Sequence, residues 1–143
     1  MNIKNSQRLV FFNGEFIPEA EAKISIYDSS LMFGDMVFEM TRSFDKKHFK
    51  LEEHIERLFL GLKILRINIG YTEKEVYELC LKTSEKNEHL FKKDDEHRLM
   101  IDVTRGILDI YKNNKEIRQG PNLVIADFPL RWTVQGMDKF FDK

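Results

Sequence analysis

Apolar and polar residues alternate along the stretch from Asp28 to Phe44, DSSLMFGDMVFEMTRSF, around which the rest of the chain is organised. After a turn-forming Asp-Ser-Ser, an apolar trio and Gly34-Asp35, successive side chains fall into two sets. Because side chains of a strand point alternately to opposite sides, this pattern predicts a strand with two differently used faces. A glycine just before a strand often marks a close approach of the backbone to another group, which predicts such an approach at Gly34. The two sets are Val37, Glu39, Thr41 and Ser43 on one face, and Phe38, Met40, Arg42 and Phe44 on the other.

Further short patterns predict strands on either side of this stretch. Residues 8–18, RLVFFNGEFIP, predict a hairpin, because Asn13-Gly14 suits the positive φ angles of a type I′ turn and Pro18 ends the second strand. Brief alternation predicts another strand at 22–27, and a short return strand is predicted at 48–50. Two later strands are predicted at 99–104 and 123–127, joined by a long polar connection that includes Gly106 and residues 112–120.

Two segments between these strands have the spacing of amphipathic helices. The first runs from Leu51 to about Leu65, with apolar residues at helical intervals and charges opposite. The second follows Thr72, an N-cap residue that forms a capping box with Glu75, and reaches Lys86 or Asn87. A charged loop is predicted at 92–96.

Hairpin-linked strands followed by segregated helices predict an α+β fold, with a mostly antiparallel sheet and two helices. The chain of 143 residues is long enough for one domain with a core. After Asp127 the sequence predicts no further element, so Phe140 and Phe141 are expected to be exposed.

Composition excludes several classes of function. Hydrophobic residues make up 42% and charged residues 33%, which is typical of a soluble globular protein. The formal net charge of −1 and the scattered basic residues argue against nucleic acid as a partner. No stretch resembles a signal peptide or a membrane span, so a cytoplasmic protein without membrane contact is predicted. One cysteine, Cys80, and four dispersed histidines predict neither an internal disulfide nor a metal site.

One group of residues early in the first helix could carry chemistry. The planar guanidinium of Arg57 suits a phosphate dianion, because it donates two parallel hydrogen bonds. On physical grounds alone, a solvated helix charge is the more frequent role of such an arginine. His54 is similarly interpreted as a cap or packing residue, and Glu39 and Arg42 as charges on a solvated face.

The order of several motifs resembles the N-terminal domain of the class IV aminotransferases, the fold-type IV enzymes that use pyridoxal phosphate. This family includes branched-chain and D-amino acid aminotransferases and aminodeoxychorismate lyase. The resemblance runs from about Leu9 to about Phe128, and its most specific part is Gly-Asp-x-Val-Phe-Glu followed by His-x-x-Arg-Leu. The matching segments are Asn13-Gly14-Glu15-Phe16-Ile17-Pro18, Ile24-Ser25-Ile26-Tyr27-Asp28, Phe33-Gly34-Asp35-Met36-Val37-Phe38-Glu39, Glu53-His54-Ile55-Glu56-Arg57-Leu58 and Val103-Thr104-Arg105-Gly106.

The resemblance implies a role for five residues. Arg57 matches the arginine that binds the cofactor phosphate, and Phe33 and Phe38 match positions on the substrate side of the cofactor. Arg42 and Arg98 align with positions near the substrate carboxylate in branched-chain enzymes. Phenylalanine at 38, where D-amino acid enzymes place a tyrosine hydroxyl, favours a branched-chain-like pocket.

The sequence departs from the family pattern in three places. Ser29-Ser30 replaces the usual Arg-Gly, and Met36 follows Gly-Asp where a small residue is common. The Schiff-base lysine of the family lies in a second domain, and Lys139 and Lys143 fall too early to match it. No catalytic residue is therefore assigned. Residues 1–128 are predicted to be the small N-terminal domain, and 129–143 the start of an interdomain linker.

The resemblance thus implies part of a homodimeric, pyridoxal phosphate-dependent aminotransferase that acts on an amino acid and a 2-oxo acid. A truncated polypeptide of this kind would be inactive alone. Three alternatives stay open: a non-catalytic ligand-binding or dimerisation module of the same fold, a fragment of a lyase of the aminodeoxychorismate type, and an unrelated α+β domain with a chance match.

Overall fold

A computed structural model of the chain describes residues 7–111, 113 and 115–141. In this part of the chain, six strands and four α-helices follow one another, with short 3-10 turns at Glu19–Glu21, Glu88–Leu90 and Asp109–Tyr111. The order is β1 (Leu9–Phe12), β2 (Glu15–Pro18), α1 (Ser29–Phe33), β3 (Met36–Phe44), β4 (Lys47–His48), α2 (Leu51–Leu65), α3 (Glu73–Asn87), β5 (His97–Thr104), β6 (Asn122–Pro129) and α4 (Leu130–Phe141).

The strands form one sheet in the order β2-β1-β6-β5-β3-β4, in which all neighbours are antiparallel. This arrangement confirms the predicted α+β fold with an antiparallel sheet. β6 lies between β1 and β5, so the last strand of the chain joins the N-terminal hairpin to the rest of the sheet. β4 pairs with β3 only at Ser43 and Phe44, which leaves the outer edge of β3 without a strand partner over 36–42.

The two faces of the sheet are used differently, as the alternation in β3 predicts. On the helix face, which in β3 consists of Val37, Glu39, Thr41 and Ser43, the helices α2 and α3 pack and close the core. Fully burying a large aliphatic side chain stabilises the fold by about 1.5 to 3 kcal/mol. The innermost side chains of this core are Ile55, Leu58, Val76, Leu99, Ile101, Val103 and Ile125. The opposite side, here called the open face, carries Phe38, Met40 and Arg42 of β3 and, in register with them, Asp102, Met100 and Arg98 of β5.

Both long helices begin where the sequence predicts. α2 starts at Leu51 and ends at Leu65. At the start of α3 the hydroxyl of Thr72 accepts a hydrogen bond from the Glu75 amide at 3.2 Å, and the Glu75 carboxylate accepts one from the Thr72 amide at 2.7 Å. The predicted capping box is therefore confirmed.

Two predictions about local structure are wrong. Residues 22–27 form no strand, because this segment crosses toward the open face, where Asp28 bonds to the ends of β5 and β6, and it has no neighbouring strand in the plane of the sheet. After β6, where no further element was predicted, residues 130–141 form α4. Its Phe140 and Phe141 are exposed, as predicted.

The glycine before β3 forms the end of the preceding helix. Gly34 ends α1 with φ of 69°, a left-handed conformation that favours glycine, and among the described residues nothing would lie within 4 Å of an added Cβ. Among the described residues, a close approach to a side chain occurs at Gly61 of α2, where a Cβ would lie 2.9 Å from Cγ1 of Val37.

Candidate functional site

Arg57, the residue singled out for phosphate binding, lies on α2 beside the unpaired edge of β3. Its Nε and Nη2 donate to the two carboxylate oxygens of Glu39 at 2.5 and 2.7 Å, which is the parallel two-point contact that a guanidinium favours. His54, one turn earlier on the same helix, places Nδ1 at 2.7 Å from Oε2 of Glu39. The carboxylate is buried, with 5% of its side chain exposed, whereas the side chain of Arg57 is 70% exposed.

The contact between Arg57 and Glu39 shifts the pKa of each group in the direction that favours its charged form. The hydrogen bond that Arg57 donates to Glu39, followed by the charge of Glu39, holds the pKa of Arg57 above its usual value. Burial raises the pKa of Glu39, but the hydrogen bonds and charges of Arg57 and His54 outweigh burial and lower it. Glu39 is therefore ionised at neutral pH, and Arg57 keeps its charge.

Arg57 retains hydrogen-bonding capacity after binding Glu39. A guanidinium has five N–H donors, and Glu39 takes one at Nε and one at Nη2, so three remain. The exposed side chain borders a shallow depression of about 260 Å³, whose other lining residues are Lys50, Glu53 and His54. In this depression, Nζ of Lys50 lies 3.7 Å from Oε1 of Glu53. This donor set fits a phosphate dianion.

The interpretation of Glu39 as a charge on a solvated face is wrong. Alternation along β3 does not tell which face carries the helices, and Glu39 lies on the helix face against α2. A signal was present in the spacing of His54 and Arg57, because residues three apart share one side of a helix and together could enclose one carboxylate. His54 likewise serves as a partner of Glu39 rather than as a helix cap.

Of the other four candidate residues, Phe38, Arg42 and Arg98 lie on the open face, and Phe33 lies on α1. Phe38, 61% exposed, is on the open face, and Phe33, 67% exposed, ends α1 just before Gly34. Arg42 and Arg98 lie directly opposite one another in the β3–β5 register, with Met40 and Met100 in the row between them and Phe38. Phe38 and Arg42 are four positions apart along the strand, a distance of about 13 Å.

The arginine pair and its surroundings favour an anion on the open face. Like charges on facing residues of neighbouring strands destabilise a sheet unless an anion lies between them. Arg42 donates from Nε to the carbonyl oxygen of Ser43 at 3.0 Å, and its guanidinium carbon is 4.0 Å from the centre of the Phe44 ring. The Nε of Arg98 is buried and has no hydrogen-bond partner among the described residues.

Asp102, which the sequence analysis did not single out, lies opposite Phe38 in the same register. Burial raises the pKa of its carboxyl group. An ionisable group thus stands on the wall that the resemblance assigns to the substrate.

A single ligand can contact both Arg57 and the open face only if it reaches around the unpaired edge of β3. Glu39 and Phe38 are consecutive residues, so their side chains leave the strand on opposite sides. The guanidinium bound to Glu39 therefore lies on the helix side of this edge, and Phe38 lies on the other. The structure brings together Phe38, Arg42 and Arg98 on one face and separates them from Arg57 by the thickness of one strand.

Other residues of the matching motifs bind one another and hold this edge in place. The buried carboxylate of Asp28 accepts hydrogen bonds from the Ser30 amide, the Thr104 hydroxyl and the Asn122 side chain, each at 2.8 Å. Asp35 forms an ion pair with Arg105. These contacts fix α1 and the start of β3 to the ends of β5 and β6, so Asp28, Asp35, Thr104 and Arg105 form the framework of the site.

The described residues contain no group of three or more acidic, histidine or cysteine side chains arranged to hold a metal ion. No helix in the described part of the chain is long and apolar enough to cross a membrane. Lys139 lies on the exposed surface of α4, and Lys143 lies outside the described residues.

Comparison with known proteins gives consistent results. Residues 36–140 match the model of the amino-transferase class IV family. The chain is 40% identical over 101 residues to a putative branched-chain-amino-acid aminotransferase of Methanocaldococcus jannaschii, a match that covers 71% of this chain and 33% of the relative. It is 40% identical over 70 residues to the D-alanine aminotransferase of Staphylococcus haemolyticus, covering 49% of this chain and 25% of the relative.

Solved structures agree with these sequence relatives. The branched-chain amino acid aminotransferase from Escherichia coli superimposes with a TM-score of 0.72 at 25% identity, over 86% of this chain and 41% of that one. The branched-chain aminotransferase from the archaeon Thermoproteus uzoniensis, solved with norvaline, gives a TM-score of 0.70 at 25% identity, over 86% of this chain and 41% of that one. The chain spans about a third of the length of the first curated relative it matches.

Proposed function

The chain belongs to the class IV aminotransferase family, and from this premise we propose that it supplies the phosphate-binding arginine and one wall of the substrate pocket of such an enzyme. The proposed reaction transfers an amino group from an amino acid to a 2-oxo acid, with branched-chain substrates favoured. Pyridoxal phosphate, when bound, supplies the electron-withdrawing ring that this exchange requires.

The observation that carries this proposal is the state of Arg57. Its two-point contact with Glu39 fixes the guanidinium beside an open depression, and three N–H donors remain for a phosphate. Charge-assisted hydrogen bonds of this kind are about twice as strong as neutral ones. Arg57 would therefore hold the phosphate end of the cofactor at the unpaired edge of β3.

The open face offers what a branched-chain amino acid needs. Phe38, Met40 and Met100 offer an apolar surface against which an aliphatic side chain would pack. Arg42 and Arg98 present two cations for the carboxylate, one row farther along the strands. Rows of this sheet are about 7 Å apart, a separation that a small amino acid can bridge with the help of the long arginine side chains.

A second candidate is a substrate of the D-alanine type. The chain is 37 to 40% identical to D-alanine aminotransferases of two staphylococcal species, close to its identity with the branched-chain relative. The smaller side chain of alanine would leave part of the methionine surface unused.

We further propose that none of the described lysines acts as the Schiff-base lysine, so this segment by itself does not transaminate, and that the complete enzyme is a homodimer. The small-domain boundary at 128 and the linker role of 129–143 belong to the same proposal. A lysine in the cofactor site anchors the aldehyde group and takes part in the exchange.

A chimaeric enzyme tests these proposals. The matched segment of the Methanocaldococcus jannaschii relative is replaced by the corresponding residues of this chain, which share 40% identity with it. We expect the chimaera to bind pyridoxal phosphate and to transaminate branched-chain 2-oxo acids. Arg57→Gln in the chimaera is expected to weaken cofactor binding roughly 10- to 100-fold, because the charged hydrogen bonds to phosphate are lost.

Cofactor binding is measured by absorbance and by equilibrium dialysis, and substrate preference by rates with branched-chain and D-alanine donors. Arg66→Gln, a change at the far end of α2, is the matched control and should leave the cofactor affinity unchanged. A folded chimaera whose cofactor affinity is indifferent to Arg57→Gln would disprove the phosphate assignment. One that binds the cofactor without transamination would favour the non-catalytic module, and a preference for D-alanine would favour the second candidate.

A further inference from the structure

Glu39 occupies a position on the sheet from which it can control Arg57. Its backbone is fixed in the β3–β5 register opposite Ile101, and its side chain is almost completely buried. Both carboxylate oxygens are used: Oε1 accepts from Nε of Arg57, and Oε2 is shared by Nη2 of Arg57 and Nδ1 of His54. The guanidinium of an exposed helix residue is thereby tied to the rigid part of the fold.

The arrangement has an electrostatic disadvantage that calls for an explanation. A carboxylate next to a phosphate site repels the phosphate, and like charges this close suppress binding. Arginine side chains that are exposed on a helix lose considerable rotamer entropy when a ligand fixes them. A partner that fixes the guanidinium beforehand removes that cost from the binding step.

We propose that Glu39 is a positioning residue, which with the help of His54 presets the Arg57 guanidinium so that its three remaining donors face the phosphate. This inference rests on the proposed function of Arg57 and adds a role for its two partners. The gain from presetting exceeds the repulsion between the carboxylate and the phosphate.

His54 holds the Glu39 carboxylate in place from the helix side. A carboxylate only accepts hydrogen bonds, so Nδ1 of His54 carries the proton in the 2.7 Å contact with Oε2. This contact prevents the carboxylate from rotating about its own axis, and rotation would separate Oε1 from Nε of Arg57. His54 and Arg57 lie three residues apart on one side of α2, so a single carboxylate reaches both.

The direction in which one substitution changes the affinity for phosphate tests the inference. In Glu39→Gln the shape is kept but the charge and one acceptor are lost. If presetting dominates, this variant binds phosphate about tenfold more weakly, the factor that fixing one such side chain is worth. If Glu39 acts merely as a neighbouring negative charge, the same variant binds phosphate more tightly.

The measurement is an NMR titration of the full chain with pyridoxine 5′-phosphate, which has no aldehyde and so forms no imine with lysines. Unphosphorylated pyridoxine is the ligand control. The Nε–Hε signal of Arg57 reports both binding and, in the ligand-free chain, the order of the side chain. We expect this signal to show an ordered Arg57 side chain in the unsubstituted chain and a mobile one in Glu39→Gln. The free energy of unfolding of both proteins is measured alongside.

Glu53→Gln is the matched control, because it removes a carboxylate from the same depression without touching the guanidinium. It should leave the order of Arg57 unchanged and bind phosphate at least as tightly. His54→Ala is the second positioning variant and should weaken phosphate binding about two- to threefold. It also keeps the test decisive if Glu39→Gln does not fold.

The outcomes distinguish the phosphate assignment of Arg57 from the positioning role of Glu39 and His54. If Arg57→Gln does not alter the response to pyridoxine 5′-phosphate, the phosphate assignment itself fails. If Arg57→Gln abolishes the response but Glu39→Gln and His54→Ala tighten binding, or leave the Arg57 signal ordered, the phosphate assignment stands and the positioning role is overturned.

Discussion

His97 lies between two carboxylates at the polar end of the helix face. Its Nδ1 is 2.7 Å from Oδ2 of Asp127, and its Nε2 is 2.9 Å from Oε2 of Glu88. Because carboxylates only accept hydrogen bonds, both ring nitrogens carry a proton in this geometry, and the imidazole is positively charged. Asp127 is fully buried, and His97 is in direct contact with its carboxylate.

The pKa of His97 follows from several opposing neighbours. Burial lowers it, and the charge of Lys46 lowers it further, but the hydrogen bond and charge of Asp127 and the charge of Glu88 outweigh both and raise the pKa. A raised pKa in the folded state means that His97 stabilises the fold fully below its unfolded pKa of about 6.5. This stabilisation is lost as the pH rises through the folded pKa.

We therefore expect His97→Gln to destabilise the chain most at about pH 5.5 to 6, by roughly 2 to 4 kcal/mol, since it leaves the buried Asp127 without its cation. The difference in free energy of unfolding from the unsubstituted chain should shrink as the pH rises above neutrality. Urea denaturation at a series of pH values measures it. A difference that is independent of pH would show that folding does not change the pKa of His97, and a difference that grows as the pH rises would show that the neutral form is favoured in the fold.

His48 provides a control of opposite sign. Its ring centre is 5.4 Å from that of His97. Burial lowers its pKa, as does the charge of His97, against the opposing charge of Asp127. The neutral form is therefore favoured in the fold, and the penalty of His48→Gln should be largest at high pH and shrink as the pH falls through about 6.5. The same pH trend for both variants would contradict these assignments.

These residues also show where sequence-based prediction ends. His48 and His97 are 49 positions apart and were correctly described as dispersed along the chain, yet the β3–β4 turn and β5 bring their rings together. Arg57 could be singled out because its motif is local. Its partner Glu39 could not be assigned, because the side of β3 that receives α2 depends on contacts between distant segments.

At the scale of elements, the packing of α2 on β3 depends on Gly61. A Cβ at this position would lie 2.9 and 3.3 Å from the two methyl carbons of Val37. Alanine is the better helix former by about 1 kcal/mol, but overpacking of a core costs about 1 to 3 kcal/mol. We expect Gly61→Ala to lower the free energy of unfolding by about 1 kcal/mol, measured by urea denaturation.

Two further variants identify the cause of this effect. In a Val37→Ala background the methyl carbons are gone, so Gly61→Ala should become stabilising, a reversal that a double-mutant cycle measures directly. Gly136→Ala on α4, where nothing among the described residues lies within 4 Å of the added Cβ, should raise helicity without destabilising the fold. A similar loss of stability for Gly61→Ala with and without Val37 would exclude the proposed clash.

The elements themselves were predicted to different degrees for physical reasons. α2 and α3 follow from local information, the spacing of apolar residues and the Thr72–Glu75 capping box, and their bounds were predicted correctly. The segment 22–27 has a similar local alternation but forms no strand, because a strand also requires a neighbour in the sheet. Local pattern cannot supply that neighbour.

At the scale of the whole molecule, β6 holds the sheet together. It pairs with β1 on one side and with β5 on the other, and its Leu123 and Ile125 belong to the core. We expect a chain that ends at Pro121 to be unfolded by circular dichroism, because the N-terminal hairpin and β5 both lose their neighbour. Two-stranded hairpins are marginally stable alone.

A chain that ends at Pro129 is the matched comparison. It loses α4, which has no buried residue, together with the ion pair of Arg131 with Asp95 and the stacking of Trp132 on Phe128. We expect it to unfold cooperatively, with a free energy of unfolding lower by about 1 to 2 kcal/mol. An unfolded protein ending at Pro129 would mean that α4 is required for the fold.

The central position of β6 also determines when the sheet can form during biosynthesis. β1 ends at Phe12 and its partner β6 begins at Asn122, so the ribosome must add 110 residues before the two can meet. At about 5 to 20 residues per second this takes roughly 6 to 22 s. Throughout that interval the apolar strand Leu9–Phe12 has only β2 as a strand partner, so we expect its other edge to be open to chaperones and to misassembly in the nascent chain.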